Sequence, residues 1–302
     1  MISPSIKKIL GLSLLGTAAI GVGSYVKARR EAFQFKKEMV PVHIKTNGTG
    51  GGIKGKTLRI LHLSDLHVAR NESSRKLSFL QEITDDEYDL VFLTGDIFEH
   101  DESVLYSPYL LSRKPRLGAY AILGNHDYYE YSMSRRILGR IFKNWRHPDD
   151  KKVRDLDNLV NSLEGCGYKV LRNEGVHLKD HKISIFGIEF PGVPKHELLK
   201  ITESTDKEHL KLALFHIPKE LQSFSDAGVH MAFGGHTHGG QVRLPGIGAV
   251  ITDSDLPRKN ACGLVNQGDT IFHISRGLGA DPRTNFRLNC PPTAYVIELS
   301  IT

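Results

Sequence analysis

The stretch Leu58–His67, with the sequence LRILHLSDLH, decides the fold of this chain. Its first six residues are mostly apolar, which predicts a buried β-strand. The strand ends directly before Asp65 and His67, whose side chains can both bind a metal ion. In α/β sheets, functional side chains collect in the loops beyond the carboxyl ends of the strands. The stretch therefore predicts an α/β fold in which polar side chains gather at one edge of a sheet.

The same arrangement, an apolar run followed at once by polar residues, returns four times further along the chain. Each run is short enough for a strand, and helical spacing separates the early runs, so the sheets are expected to be mixed. Two packed sheets with outer helices would bring the strand ends from both halves of the chain to one edge. The four later motifs are Gly95-Asp96, Gly124-Asn125-His126-Asp127, a single His216 and Gly235-His236-Thr237-His238.

The residue types in these motifs fit a site for two divalent metal ions. Carboxylate, amide and imidazole ligands without a thiolate suit manganese, which we favour, and also iron or zinc. Two adjacent divalent ions can activate a water and stabilise both ends of an in-line displacement at phosphorus. Each motif alone could be an ordinary turn, but the whole set at successive strand ends indicates a metal site.

These motifs resemble the signature of the calcineurin-like metallophosphoesterase superfamily, which is D-x-H, G-D-x-x, G-N-H-D/E, a single H and G-H-x-H. The resemblance covers the chain from Leu58 to the C-terminus and implies a four-layer α/β/β/α sandwich of two mixed sheets with outer helices. It also implies that a metal-activated water attacks phosphorus, while His126, backed by Asp127, stabilises the phosphoryl oxygens or protonates the leaving oxygen. The implied ligands are Asp65, His67, Asp96 and His238 for one metal ion, and Asp96, Asn125, His216 and His236 for the other.

The chain divides into an N-terminal arm (1–40), a glycine-rich linker (41–57) and a metallophosphoesterase domain (58–302). The arm carries +5 of the total net charge of +6, so the basic pI does not indicate a nucleic-acid-binding face. Within the arm, the 18 residues Ile9–Val26 are uncharged, which is close to the roughly 17–25 residues that a spanning helix needs. The basic residues that follow predict a membrane anchor with the domain on the cytoplasmic side of the inner membrane. A cleaved signal peptide and an interfacial helix remain open as alternatives.

The cysteine count agrees with a cytoplasmic location. Cys166, Cys262 and Cys290 form no pairing pattern, and their odd number favours reduced thiols. The hydrophobic content of 40% and the charged content of 25% are ordinary for a globular chain.

A second membrane signal lies in Met133–Pro148, which contains the only tryptophan, Trp145. Its apolar residues fall on one helical face and its basic residues surround that face. A basic amphipathic helix of this kind is typical of a membrane surface. The alternative is an ordinary helix that packs on the sheet and exposes a basic edge to solvent.

The sequence also carries a hint about the substrate. The stretches Gly235–Pro245, Ser275–Gly279 and Pro291-Pro292 resemble a membrane-associated bacterial branch that includes UDP-2,3-diacylglucosamine pyrophosphatases of lipid A synthesis. The expected partners are thus a membrane lipid or lipid-linked nucleotide and an anionic membrane surface. A general phosphodiesterase or phosphatase is the alternative activity, and a non-catalytic adaptor that keeps the metal site as a scaffold is the alternative class. The complete ligand set disfavours the adaptor.

Overall fold

A computed structural model describes most of the chain. It covers residues 21–45, 53–131, 151–203, 205–252, 254–280 and 285–302, with the backbone alone at residues 131, 151 and 152. The first twelve residues of the expected anchor Ile9–Val26 and all of the basic segment Met133–Pro148 lie outside these ranges. Within the ranges, no helix has both the length and the apolar character that crossing a membrane requires.

The first of two large sheets contains six strands in the order β1-β16-β2-β3-β4-β7. Only the pairing of β16 with β2 is antiparallel, so this sheet is mixed. Its strands are β1 (Lys36–Ile44), β2 (Thr57–Leu63), β3 (Leu90–Thr94), β4 (Ala119–Ile122), β7 (Tyr168–Val170) and β16 (Thr293–Ile301).

The second large sheet also contains six strands, in the order β14-β15-β11-β10-β9-β8. Its two outermost pairings are antiparallel and its three central pairings are parallel. Its strands are β8 (Glu174–Leu178), β9 (Ile183–Ile188), β10 (Leu210–Phe215), β11 (Met231–Gly234), β14 (Gly263–Gln267) and β15 (Thr270–Ile274). Two small antiparallel sheets of two strands each pair β5 (Tyr129–Tyr131) with β6 (Lys151–Val153) and β12 (Arg243–Leu244) with β13 (Gly248–Ala249).

Helices flank the sheets. Helix α1 begins after Ser73, whose hydroxyl accepts a hydrogen bond from the amide of Lys76. Residues 21–31 are also helical. The helices are α1 (Ser74–Asp85), α2 (Asn125–Tyr128), α3 (Leu156–Gly165), α4 (Lys195–Glu203) and α5 (Gln222–Asp226), with 3-10 turns at Asp101–Tyr109, Lys179–His181, His238–Gly240 and Arg258–Asn260.

Three clusters of buried apolar side chains show how the layers stack. One cluster lies between the two sheets, where the rings of Phe92 on β3 and Phe233 on β11 are 4.9 Å apart. A second packs the first sheet against α1 and α3, and a third packs the second sheet against α4 and α5. Each fully buried Leu, Ile or Phe contributes roughly 1.5–3 kcal/mol. The α/β class and the two mixed sheets are therefore as the sequence predicts.

Two predicted helices differ from those observed. The sequence predicts a helix over Val153–Leu163, but the observed helix α3 begins only at Leu156. Val153 belongs to β6, and the Asp155 carboxylate caps the helix by accepting from the amide of Asn158. The sequence also predicts a helix over Pro218–Phe224, because proline is tolerated in the first turn of a helix. The observed helix, α5, starts at Gln222. The left-handed backbone at Glu220 (φ 50°) prevents an earlier start.

The sequence missed the edge strand β1, which lies in residues assigned to the arm and the linker. It pairs in parallel with β16 along its whole length. Its sequence, KKEMVPVHI, begins with three charged residues and contains Pro41, so it lacks the apolar run that marks a buried strand. Charges and proline are features of edge strands, which have one unpaired side. The first sheet therefore contains a strand from the residues before position 58 as well as strands from the residues after it.

Candidate metal centre

The strand ends that carry the motifs meet at one edge of the two sheets. Within the first sheet, the amide of Asp65 donates to the carbonyl of Gly95 (3.0 Å) and the amide of His67 to that of Asp96 (2.9 Å). Between the sheets, the amide of His236 donates to the Asp65 carboxylate at 2.9 Å. These bonds fix the loops after β2, β3 and β11 to one another, so the motif side chains converge.

The backbone of this edge is unusual. Five of the predicted ligand residues adopt left-handed backbone angles, with φ between 43° and 70°. Such a conformation costs roughly 1–3 kcal/mol for a residue other than glycine, and it clusters at functional sites. The loops are therefore held in a conformation that places the side chains and does not minimise local energy. The five residues are Asp65, His67, Asp96, His236 and His238.

One group of possible ligand atoms consists of Asp65, His67 and His238, whose donor atoms all lie within 4.8 Å of one another. The Nε2 atoms of His67 and His238 are 3.2 Å apart. The Nε2 atom of His238 is 3.6 Å from Oδ1 of Asp65, and that of His67 is 3.7 Å from Oδ2 of Asp96. The structure thus brings together the four residues predicted to hold the first metal ion.

A second group consists of Asp96, His216 and His236. Oδ2 of Asp96 lies 3.2 Å from Nε2 of His216, which is 3.3 Å from Nδ1 of His236. Because the same oxygen of Asp96 also faces His67, this carboxylate lies between the two groups, where a bridging ligand would have to be.

The fourth residue predicted for this group, Asn125, is buried at the start of α2, directly after Gly124. A Cβ atom at Gly124 would lie only 2.4 Å from Oδ1 of Asp96, so only glycine allows this close approach. The amide of His126 then donates to the same oxygen at 2.8 Å. The loop that carries Asn125 is thereby fixed against Asp96.

The histidine hydrogen bonds show that the site suits metal ions. Nδ1 of His216 donates to the carbonyl of Thr94 at 2.8 Å, and Nδ1 of His238 donates to that of Gly279 at 3.2 Å. Nδ1 of His67 faces the carboxylate of Glu99 at 2.8 Å. Each bond leaves Nε2 directed at the cluster, which is how proteins orient metal-binding histidines. The donor chemistry therefore fits two divalent ions, and the ligand assignments themselves stay a prediction.

The protonation of these groups follows from burial and charge. Burial, together with nearby His67 and Arg287, holds the pKa of His238 well below its ordinary value, so this ring is neutral, the form that binds metal. Burial acts to raise the pKa of Asp96, but the facing His216 and His126 outweigh it and hold the pKa well below its usual range. A carboxylate that stays ionised when buried is suited to neutralising cations.

The structure places a second carboxylate, that of Glu99, beside His126. Its Nδ1 lies 3.4 Å from Oε2 of Glu99, and the same oxygen faces Nδ1 of His67. The carboxylate of Asp127 instead accepts hydrogen bonds from the backbone amides of Gly124 (2.9 Å), Ile97 (2.9 Å) and Phe98 (3.3 Å). Asp127 therefore fastens α2 to the loop after β3, and Glu99 orients His126.

A second feature that the sequence did not reveal is Arg287, whose side chain is fully buried. Its guanidinium donates to the carbonyls of Arg276 (2.8 Å), Cys290 (3.2 Å) and His238 (3.4 Å), and also to that of Gly279, which accepts from the His238 ring. Arg287 thus holds the C-terminal loops against the His238 side of the centre. All three cysteines are free, as expected.

The comparisons with known proteins agree with this geometry. Residues 58–240 match the model of the calcineurin-like phosphoesterase family. The chain is 30% identical over 245 residues to the uncharacterized metallophosphoesterase YkoQ of Bacillus subtilis, which covers 78% of this chain and 82% of that protein. The chain therefore belongs to the calcineurin-like phosphoesterases. It is a metal-dependent phosphoesterase with candidate ligand clusters for two metal ions.

Two further relatives have names that state an activity. The UDP-2,3-diacylglucosamine pyrophosphatase LpxG of Chlamydia muridarum is 26% identical over 271 residues, with 76% of this chain and 80% of that protein covered. Phosphodiesterase YaeI of Escherichia coli is 24% identical over 249 residues, with 80% and 82% covered.

Proposed function

We propose that this protein uses two divalent metal ions to hydrolyse a phosphoester or pyrophosphate bond of a lipid-linked substrate at the cytoplasmic face of the inner membrane. UDP-2,3-diacylglucosamine, an intermediate of lipid A biosynthesis, is the favoured substrate. The observation that carries the reaction class is the pair of ligand groups on either side of Asp96. The similarity to LpxG along most of both chains supports the choice of substrate.

The roles of the chain's own residues follow from their contacts. The two ions, when bound, would supply an activated water and neutralise the charge on the phosphoryl oxygens. Glu99 holds Nδ1 of His126, so Nε2 of this ring is the atom that would donate a proton to the leaving oxygen. Glu99 also faces Nδ1 of His67, and one carboxylate therefore orients both a predicted ligand and the predicted acid. Its pKa lies well below the usual range because both histidines outweigh the effect of burial.

Manganese is the favoured metal. The predicted ligands are imidazole nitrogens and carboxylate or amide oxygens, a set that suits Mn²⁺, and iron and zinc fit the same set. Loading the metal-free protein with each ion in turn, and measuring turnover at equal occupancy, identifies the ion that supports the reaction.

A general phosphodiesterase is the second candidate. The similarity to YaeI, whose name gives that activity, covers 80% of this chain and 82% of that protein, at 24% identity against 26% for LpxG. In this reading, a soluble diester or another lipid would be the substrate, and the metal centre would act in the same way.

Product analysis by mass spectrometry separates the two candidates. The full chain is incubated with UDP-2,3-diacylglucosamine and, in parallel, with bis(p-nitrophenyl) phosphate. The favoured function predicts UMP and the diacylated sugar phosphate, formed with a much higher kcat/KM than the soluble product. Turnover of the soluble diester alone would support the general phosphodiesterase, and the Asp96→Ala variant controls for contaminating hydrolases.

A further inference from the structure

Two groups of exposed apolar side chains lie in segments that connect to the metal centre through residues 285–290. They are Val22, Tyr25 and Val26 on the helix 21–31, and Leu244, Ile247 and Ile251 in and after the β12–β13 hairpin; we call these six residues the apolar rim. Tyr25 is 62% exposed, Ile247 57% and Ile251 56%. Large apolar side chains that remain exposed together mark an interaction surface.

The two parts of the rim are more than 200 residues apart in sequence, but both attach to the segment 285–290. On one side, the amide of Arg287 donates to the carbonyl of Ala28 at 2.9 Å, and the Glu31 carboxylate accepts from the amides of Asn289 and Cys290. On the other side, the amide of Arg243 donates to the carbonyl of Leu288 at 2.9 Å. The segment is therefore held between the helix and the hairpin.

The same segment reaches the metal centre. The thiol of Cys290 donates to the carbonyl of His238 at 3.3 Å, and the buried Arg287 donates to the same carbonyl. If the rim rests on another surface, the metal centre will therefore also have a defined orientation relative to that surface.

Positive charge borders the rim on both sides. A groove of about 690 Å³ beside the helix is lined by Arg29, Arg30 and Arg75 together with Tyr25, Val26 and Phe33, and no acidic residue is among its lining in the described chain. At the hairpin, Arg258 and Lys259 belong to a 3-10 turn that packs against β13. The approach is close: a Cβ atom at Gly248 would lie 3.6 Å from the carbonyl oxygen of Arg258.

We propose that the apolar rim and its basic border rest on an anionic phospholipid bilayer, with the metal centre facing the lipid. Exposed apolar side chains bordered by arginine and lysine match the boundary between acyl chains and anionic head groups. In the sequence, the uncharged residues 9–20 come directly before the helix 21–31. This inference rests on the proposed membrane location, and it explains how a substrate embedded in the bilayer would reach the metal ions.

Photo-crosslinking of the full chain in lipid nanodiscs tests the contact directly. Benzoylphenylalanine replaces Ile247 in the hairpin or, as a matched control, Leu199 on α4, which is 37% exposed and outside the rim. In nanodiscs that contain phosphatidylglycerol, mass spectrometry should find at least about tenfold more lipid adduct at position 247 than at position 199. Position 247 is decisive because an N-terminal anchor alone would not bring the hairpin to the bilayer.

Equal amounts of adduct at the two positions would overturn the proposal, because the hairpin would then contact the bilayer no more than the control surface does. An adduct at position 247 to a second copy of the chain, in place of lipid, would also overturn it and make the rim a dimer interface.

The basic border is tested with Arg258→Glu combined with Lys259→Glu. This change should lower the lipid adduct at position 247 by about tenfold, because each basic side chain near an anionic surface adds attraction. The control pair, Lys200→Glu with Lys207→Glu, makes the same change in charge on exposed residues of another surface and should leave the adduct unchanged. Equal losses in both pairs would show that net charge, and not this surface, governs the contact.

These outcomes are separable from the proposed function. Neither pair touches the metal centre, so turnover of bis(p-nitrophenyl) phosphate should be unchanged. If lipid-linked substrate is hydrolysed but position 247 gives no lipid adduct, the docking surface is wrong and the function stands. If the adduct forms but the lipid-linked substrate is not hydrolysed, the substrate is wrong and the surface stands.

Discussion

The two sides of the metal centre are built differently. On one side, the short loops at the ends of β2 and β3 carry the predicted ligands Asp65, His67 and Asp96, and backbone hydrogen bonds connect these loops directly. On the other side, the loop that carries His238 is supported by residues from both ends of the chain, among them Glu31 and Arg287. The difference indicates that the ligands on the first side are positioned by the loops that carry them. On the second side, His238 is supported by residues that are not themselves part of the metal centre.

The predictions below test this difference, beginning with the change that should have the largest effect. Asp96→Ala removes the carboxylate that faces both ligand groups. We expect the variant to lose bound metal and nearly all activity, because neither group of ligands remains complete. Metal content by plasma mass spectrometry, together with turnover of bis(p-nitrophenyl) phosphate, measures both losses.

An exposed aspartate gives the matched control for this change. Asp180→Ala alters the same residue type on the 3-10 turn Lys179–His181 and should leave both measurements unchanged. Two metal ions per chain and near-normal turnover in Asp96→Ala would remove Asp96 from the centre.

His126→Ala should affect the rate and not the metal content. The ring lies beside His67, with their centroids 4.8 Å apart, but it is not one of the predicted ligands. Loss of a positioned acid should lower kcat by roughly 10²–10⁴-fold while both ions remain bound. A loss of metal as complete as in Asp96→Ala would make His126 a ligand.

Glu99 and Asp127 test which carboxylate orients His126. Glu99→Gln should lower kcat by about 10- to 100-fold, the usual cost of losing the partner of an active-site histidine. Asp127→Asn should instead lower the free energy of unfolding by about 1–3 kcal/mol, because the amide group cannot accept from every backbone amide that Asp127 satisfies. Urea unfolding and steady-state kinetics on both variants separate the two effects, and the reverse pattern would restore Asp127 as the partner of His126.

Glu31→Gln tests the support that the helix 21–31 gives to the loops beside His238, and it should have the smallest effect on the reaction. The variant leaves one of the amides of Asn289 and Cys290 without its acceptor, which should cost about 1–3 kcal/mol of stability. Lys27→Gln is the control, because Lys27 contacts Asn289 only through an exposed hydrogen bond and should change stability by less than about 0.5 kcal/mol. Unchanged stability in Glu31→Gln would show that the helix 21–31 does not support the centre.

The same difference explains what the sequence could predict. Apolar runs that end at Asp65, Asp96, His216 and His236 are local signals, and they predicted both the buried strands and the gathering of these side chains. Strand β1 and the salt-bridge partners of the histidines leave no such signal. β1 has the polar composition of an edge strand, and the contact of Glu99 with His126 depends on how two loops pack.

Arg287 and Glu31 were beyond sequence reasoning for a related reason. A charged residue in a sequence is ordinarily exposed, and only the fold shows that both of these are buried. Each satisfies backbone groups from distant loops, so neither has a neighbour in the sequence that would reveal its role.

Metal counting with a matched activity assay tests the central claim most directly. The purified full chain is stripped with a chelator and then reloaded with Mn²⁺, and bound metal and turnover of bis(p-nitrophenyl) phosphate are measured at each stage. A dinuclear phosphoesterase predicts no turnover without metal, and full recovery as occupancy approaches two ions per chain. Turnover that survives complete removal of metal, or that is fully restored at one ion per chain, would contradict the account.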